Sequence, residues 1–102
     1  MATVKIKFAP SSLMMQMHFI SETAIPAVRQ ALHDHTYTES ALFEVNGDGQ
    51  DAADEVFDLT NNPSRQEECE EKYGCGRSLS VGDIVVVGEE QWLCMSHGWK
   101  KI

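Results

Sequence analysis

Long apolar runs are missing from this chain of 102 residues. A helix needs roughly 20 apolar residues to cross a bilayer, and no uncharged stretch approaches that, so no membrane-spanning helix is expected. No leader is expected either: Met1-Ala-Thr-Val-Lys-Ile-Lys-Phe8 alternates like a strand and is not a basic stretch followed by an apolar one. Cysteine is scarce and odd in number, three in all. That fits a reducing compartment better than a secreted disulfide scaffold, and the expectation is a cytoplasmic protein. Internal repeats, low-complexity tracts and linkers are absent, so residues 1–102 read as one domain, long enough to bury a core without a staple.

Positive charge is the scarcest commodity. Eight Lys and Arg face 16 Asp and Glu, for a net charge of −8. Glu44, Asp48, Asp51, Asp54, Glu55, Asp58, Glu67, Glu68, Glu70 and Glu71 crowd the middle, with Arg65 among them, while Lys5, Lys7, Lys100 and Lys101 sit at the ends. Such a middle repels phosphate and anionic lipid, which excludes direct nucleic-acid binding through that surface. Solubility is its plainest use. A basic patch on another protein is the partner it would attract.

Periodicity gives the element order. Thr3–Phe8 alternates as a half-buried strand, and Leu13–Ile20 alternates again, which predicts a β-hairpin. Ser21–Asp34 reads as a helix whose regular part begins near Ile25, because Pro26 belongs in a first turn. Tyr37–Val45 reads as a strand and Asn46-Gly-Asp-Gly49 as a turn. Asp51 can cap a helix to about Thr60, with Val56 and Leu59 inward and Asp54, Glu55 and Asp58 outward. Asn61-Asn62-Pro63 stops it. Ser64-Arg-Gln-Glu67 has capping-box spacing and opens a short acidic helix to about Lys72. Strands follow at Asp83–Val87 and Gln91–Met95, joined by Gly88-Glu89-Glu90, with a last short strand within Gly98–Ile102. The class is α+β: a mixed, mostly antiparallel sheet with helices packed on one face.

Leu59-Thr-Asn-Asn-Pro63, Tyr73-Gly74, Gly76-Arg-Ser-Leu-Ser-Val-Gly-Asp-Ile-Val85 and Gly98-Trp99 together resemble the YodL-like small proteins, over about residues 54–102. That family occurs in phages, plasmids and other mobile elements, sometimes as modules of proteins thought to act on host or defence machinery. The resemblance implies an α+β fold, a bacterial host cell and a mobile-element origin. It implies no catalytic residue and no cofactor. Cys75 departs from the basic or polar residue the pattern favours, and Cys69 lies in a variable stretch.

The chemical alternatives are few. Cys69, Cys75 and a Cys94-Met-Ser-His97 pair could supply four zinc ligands, although five residues between the first two is a loose spacing; the bland alternative is three unrelated thiols, Cys94 acting as a small core hydrophobe. His33-Asp34-His35 could ligate a metal, or simply favour a helix C-terminus. Cys75 beside Arg77 could be an activated thiol, but no base is placed next to it. Gly74–Ser78 could cradle an anion, or serve only as a tight turn. One of Trp92 and Trp99 is expected in the core and the other at the surface. The expectation is therefore a binding protein, not an enzyme, acting as a monomer or small homo-oligomer. It would inhibit or redirect a host or bacterial-defence protein with a basic surface, competing there with nucleic acid. Asp54, Glu55, Asp58, Glu67, Glu68, Glu70 and Glu71 would steer, and Tyr73, Arg77 and Trp99 would anchor. The alternative is a zinc- or thiol-dependent domain using Cys69, Cys75, Cys94 and His97.

Overall fold

A computed structural model describes residues 1–11, 13, 25–73, 78–96 and 98–102 of the protein, Tyr73 by its backbone. Strand β1 (Ala2–Phe8) follows its alternation: Val4 and Ile6 are fully buried, and Lys5 and Lys7 point to the opposite side. Both edges of β1 are taken. Along one edge it pairs with β4 (Ile84–Val87), in register from Val4↔Val87 to Lys7↔Ile84. Along the other it pairs with β3 (Phe43–Val45) and then β2 (Thr38–Glu39). The hairpin expected from Thr3 to Ile20 is thus not how β1 pairs. Leu13 has helical backbone, its amide donating to Pro10 O at 3.0 Å, and it is buried; residues 14–20 lie outside the described ones.

The strand expected over Tyr37–Val45 is split by one extra residue. Lys7 pairs with Glu39 and Val4 with Phe43, so Ser40, Ala41 and Leu42 oppose only Lys5 and Ile6. Ser40 fills the gap, its amide donating to Ile6 O at 2.8 Å and its Oγ accepting from the Ile6 amide at 2.9 Å. That is a β-bulge held by a side chain, and it throws Leu42 outward to 67% exposure.

Beyond β4 the sheet continues through β5 (Glu90–Cys94) to the edge strand β6 (Trp99–Lys101), every pair antiparallel. Gly88, at φ 60°, opens the two-residue loop between Val87 and Glu90.

Helix α1 (Ile25–His33) carries Pro26 and buries Val28; residues 21–24 of the helix expected over Ser21–Asp34 lie outside the described ones. Helix α2 (Gly49–Asn61) buries Ala52, Ala53, Val56 and Leu59, one stripe at helical spacing. Its N-cap is Asp48, not Asp51, and the Asp48 side chain makes no capping bond. Gly47 precedes it at φ 93°, where a Cβ would meet Asp51 Cβ at 3.1 Å, so the tight turn sets the helix start. After Asn62 comes a 3-10 turn (Pro63–Arg65), then α3 (Gln66–Tyr73). The Ser64–Glu67 capping box does not form. Asn62 is the cap: its Oδ1 accepts from the Ser64 amide at 3.1 Å and from Ser64 Oγ at 2.8 Å, which uses the hydroxyl as a donor.

The α+β class and the antiparallel sheet are as the sequence predicts, and the core has two sides. Val4, Ile6, Val85 and Cys94 meet Ala52, Ala53, Val56 and Leu59 of α2 and Cys69 of α3. On the reverse, Ile84 and Leu93 meet Val28 of α1, with Leu13 and Tyr37. Helices α2 and α3 therefore share one face, while α1 covers part of the other.

Candidate partner-binding face

The acidic residues converge on the α2–α3 layer. The segment from Gly49 to Tyr73 carries eight carboxylates against Arg65 and Lys72. Arg65, at the end of the 3-10 turn, reaches between the two helices. Its Nη1 and Nη2 donate to Glu55 Oε1 and Oε2, each at 2.8 Å. Nη1 also donates to Asp58 Oδ2 at 2.8 Å, and Nη2 and Nε donate to Glu68 at 2.8 and 3.0 Å. These five bonds match the donor capacity of a guanidinium. The clustered carboxylates push the Arg65 pKa up, and Arg65 holds the Glu68 carboxyl below its ordinary range.

The seven carboxylates expected to meet a partner thus divide. Glu55, Asp58 and Glu68 serve the fold. Asp54 accepts from Trp99 Nε1 at 2.7 Å. Glu67, Glu70 and Glu71 stand exposed on α3 and make no ion pair among the described residues. Lys72 turns away, its Nζ donating to Glu44 O at 2.9 Å.

Trp99 is half-buried at the sheet edge, and Phe57 of α2 meets its ring edge-on, with centroids 6.4 Å apart and planes at 89°. Together with Asp54, Cys94, Met95, Ser96 and Gly98 they line a cavity of about 210 Å³. Phe57 was not foreseen. The signal was present in the sequence: an apolar residue three positions after Asp54, outside the inward stripe of Val56 and Leu59. Trp92 is half-buried as well, so neither indole lies wholly inside.

Of the anchors expected from sequence, the Tyr73 side chain and Arg77 lie outside the described residues, as do Cys75, His97 and most of the Gly74–Ser78 turn. Cys69 and Cys94 are buried free thiols in the same core cluster. Burial, and secondarily Asp83, pushes the Cys94 thiol up to about 12. A thiol so protonated is a poor nucleophile at neutral pH. Among the described residues no three His, Cys, Asp or Glu side chains are grouped to hold a metal. His33 and His35 are exposed, and Asp34 between them accepts from Gln30 Nε2 at 3.1 Å.

The two conspicuous sequence segments, Leu59–Pro63 and Ser78–Asp83, pack on each other. Leu79 N donates to Thr60 Oγ1 at 3.1 Å, and Asn61 Nδ2 donates to Leu79 O at 3.0 Å. Asp83 is fully buried; its Oδ1 accepts from Ala9 N at 2.8 Å and its Oδ2 from Ser80 N at 2.9 Å. Tyr37 donates its hydroxyl to Gly82 O at 2.7 Å. These polar groups satisfy backbone and close the fold.

No described helix is long and apolar enough to cross a membrane. Comparison with family models, with curated proteins and with solved structures finds no match for this chain.

Proposed function

We propose that the protein is a small acidic binding protein that docks its α2–α3 face on a basic surface of another protein. The observation that carries this reading is α3 itself: Glu67, Glu70 and Glu71 are exposed and, among the described residues, unpaired, while Arg65 is fully spent on Glu55, Asp58 and Glu68. A chain selected only for internal stability gains nothing from like charges on one short helix. Unpaired charge at a surface steers a partner of opposite sign. With the YodL-like resemblance, the partner is a host or bacterial-defence protein that normally grips nucleic acid, and the chain inhibits it by occupying that surface. The buried, protonated state of Cys94 favours binding over thiol chemistry.

Affinity capture from a bacterial lysate, at low and at high salt, tests the reading. Wild type should retain a basic protein that salt releases. Reversing Glu67, Glu70 and Glu71 to Lys should abolish retention without unfolding the chain, because none of the three supports the core. Glu68 is left intact so that the Arg65 fork survives. Equal retention by the variant overturns the proposal.

A further inference from the structure

We infer that the cavity between α2 and β6 is a receptor for one arginine side chain of the basic partner. This rests on the acidic-face reading and gives it a point of entry. Three observations converge. Phe57 is 40% exposed, although it is a large apolar side chain. It stands edge-on to Trp99 at 6.4 Å, so the two rings form two walls of a slot and not a closed stack. Asp54 lines the same cavity: its Oδ1 is fixed by the Trp99 indole N–H at 2.7 Å, and its Oδ2 has no hydrogen-bond partner among the described residues.

The occupant follows from size and charge. The cavity holds about 210 Å³, below the roughly 300 Å³ where sites for drug-sized ligands begin, so it suits a single side chain. Phe57 and Trp99 give it aromatic walls, Cys94 and Met95 also line it, and among the described residues its one charged group is a carboxylate, Asp54. A planar cation satisfies both: guanidinium stacks on an aromatic face while its N–H groups donate to an oxygen. Lysine offers a hydrated point charge that cannot stack. Gly98 on the rim has no side chain, and a Cβ built there would meet nothing within 4 Å, which leaves the approach open.

NMR titration of the full-length, isotope-labelled protein with a blocked alternating Gly–Arg peptide tests this, reading the Trp99 indole and Gly98 amide signals. The Trp99 indole is assigned with Trp99→Phe. Both signals should shift saturably with the Arg peptide. They should shift far less with its Gly–Lys counterpart and not at all with the neutral citrulline counterpart. Asp54→Asn keeps the oxygen that accepts the indole N–H and removes the charge, and it should weaken binding about tenfold, the scale of one charge-assisted hydrogen bond. Phe57→Ala, at an exposed position, should weaken it similarly. Shifts confined to the amides around Glu67, Glu70 and Glu71 would overturn the arginine slot and leave the acidic face standing. No shift anywhere would overturn both. Equal response to the Lys or citrulline peptide would overturn the guanidinium assignment.

Discussion

Asp83 shows how one side chain can join distant parts of a small protein. Fully buried, its carboxyl ties the end of β1 at Ala9 to the turn at Ser80, while its backbone carbonyl accepts from Cys94 N at 2.8 Å. Its field reaches two further groups: after burial itself, it is the next cause raising both the Tyr37 phenol and the Cys94 thiol. The consequence for stability has a definite sign. In the unfolded chain a thiol ionises near 8.5; in the folded chain Cys94 holds its proton to about 12. Between those values the unfolded state binds fewer protons, so stability falls as pH rises. Tyr37 adds the same sign above its ordinary value, about 10. Urea midpoints measured from about pH 8 to about 11 should therefore decline. Cys94→Ala should flatten the first part of that decline, and Tyr37→Phe the last. An unchanged slope in Cys94→Ala would mean that the folded protein does not protect the thiol.

At the scale of the element, Arg65 matters most where α2 meets α3. Among its described side chains helix α3 buries one, Cys69, and the others are polar or charged. Its attachment depends on the guanidinium that pairs with Glu55 in a bidentate fork. Arg65→Ala should cost about 1–2 kcal/mol, since the Glu55 pair is partly shielded and the other two are solvent-screened. That corresponds to a fall of roughly 5–10 °C in melting midpoint. Added salt should then stabilise the variant more than wild type, because it screens carboxylates left facing each other; an equal salt response would show that the fork carries no net energy. Local pattern reached some of these elements and missed others. The inward stripe of Val56 and Leu59 announced α2. The bulge at Ser40 was hidden, because alternation over Tyr37–Val45 cannot reveal how many residues the opposing strand supplies. The false capping box had correct spacing, but Pro63 placed an extra turn ahead of α3 and gave the cap to Asn62. The fork was legible only as far as Arg65 and Glu68, three residues apart; Glu55 and Asp58 arrive from another helix.

Among the described residues charge is unevenly divided between the two sheet faces, with Lys101, over the Trp92 ring, the cation of β6 on the helix side. Helices α2 and α3 lay their carboxylates over one sheet face, whereas Lys5, Lys7 and Lys100 project from the other, where their registers place them beside Val86, Ile84 and Leu93. The charge asymmetry along the chain was readable from the residue order, and so was its gathering on two consecutive helices. The aromatic slot was not, because β6 reaches Phe57 only through the sheet. The two parts of the proposed interface should separate kinetically. Long-range attraction by Glu67, Glu70 and Glu71 acts before contact, so their replacement by Gln should lower the association rate of the captured complex and flatten its dependence on ionic strength, with little change in dissociation. Asp54→Asn acts after contact and should raise the dissociation rate at nearly unchanged association. Surface plasmon resonance over a salt series reads both. If the triple variant instead altered dissociation alone, those glutamates would be contact residues, and steering by the acidic face would be refuted.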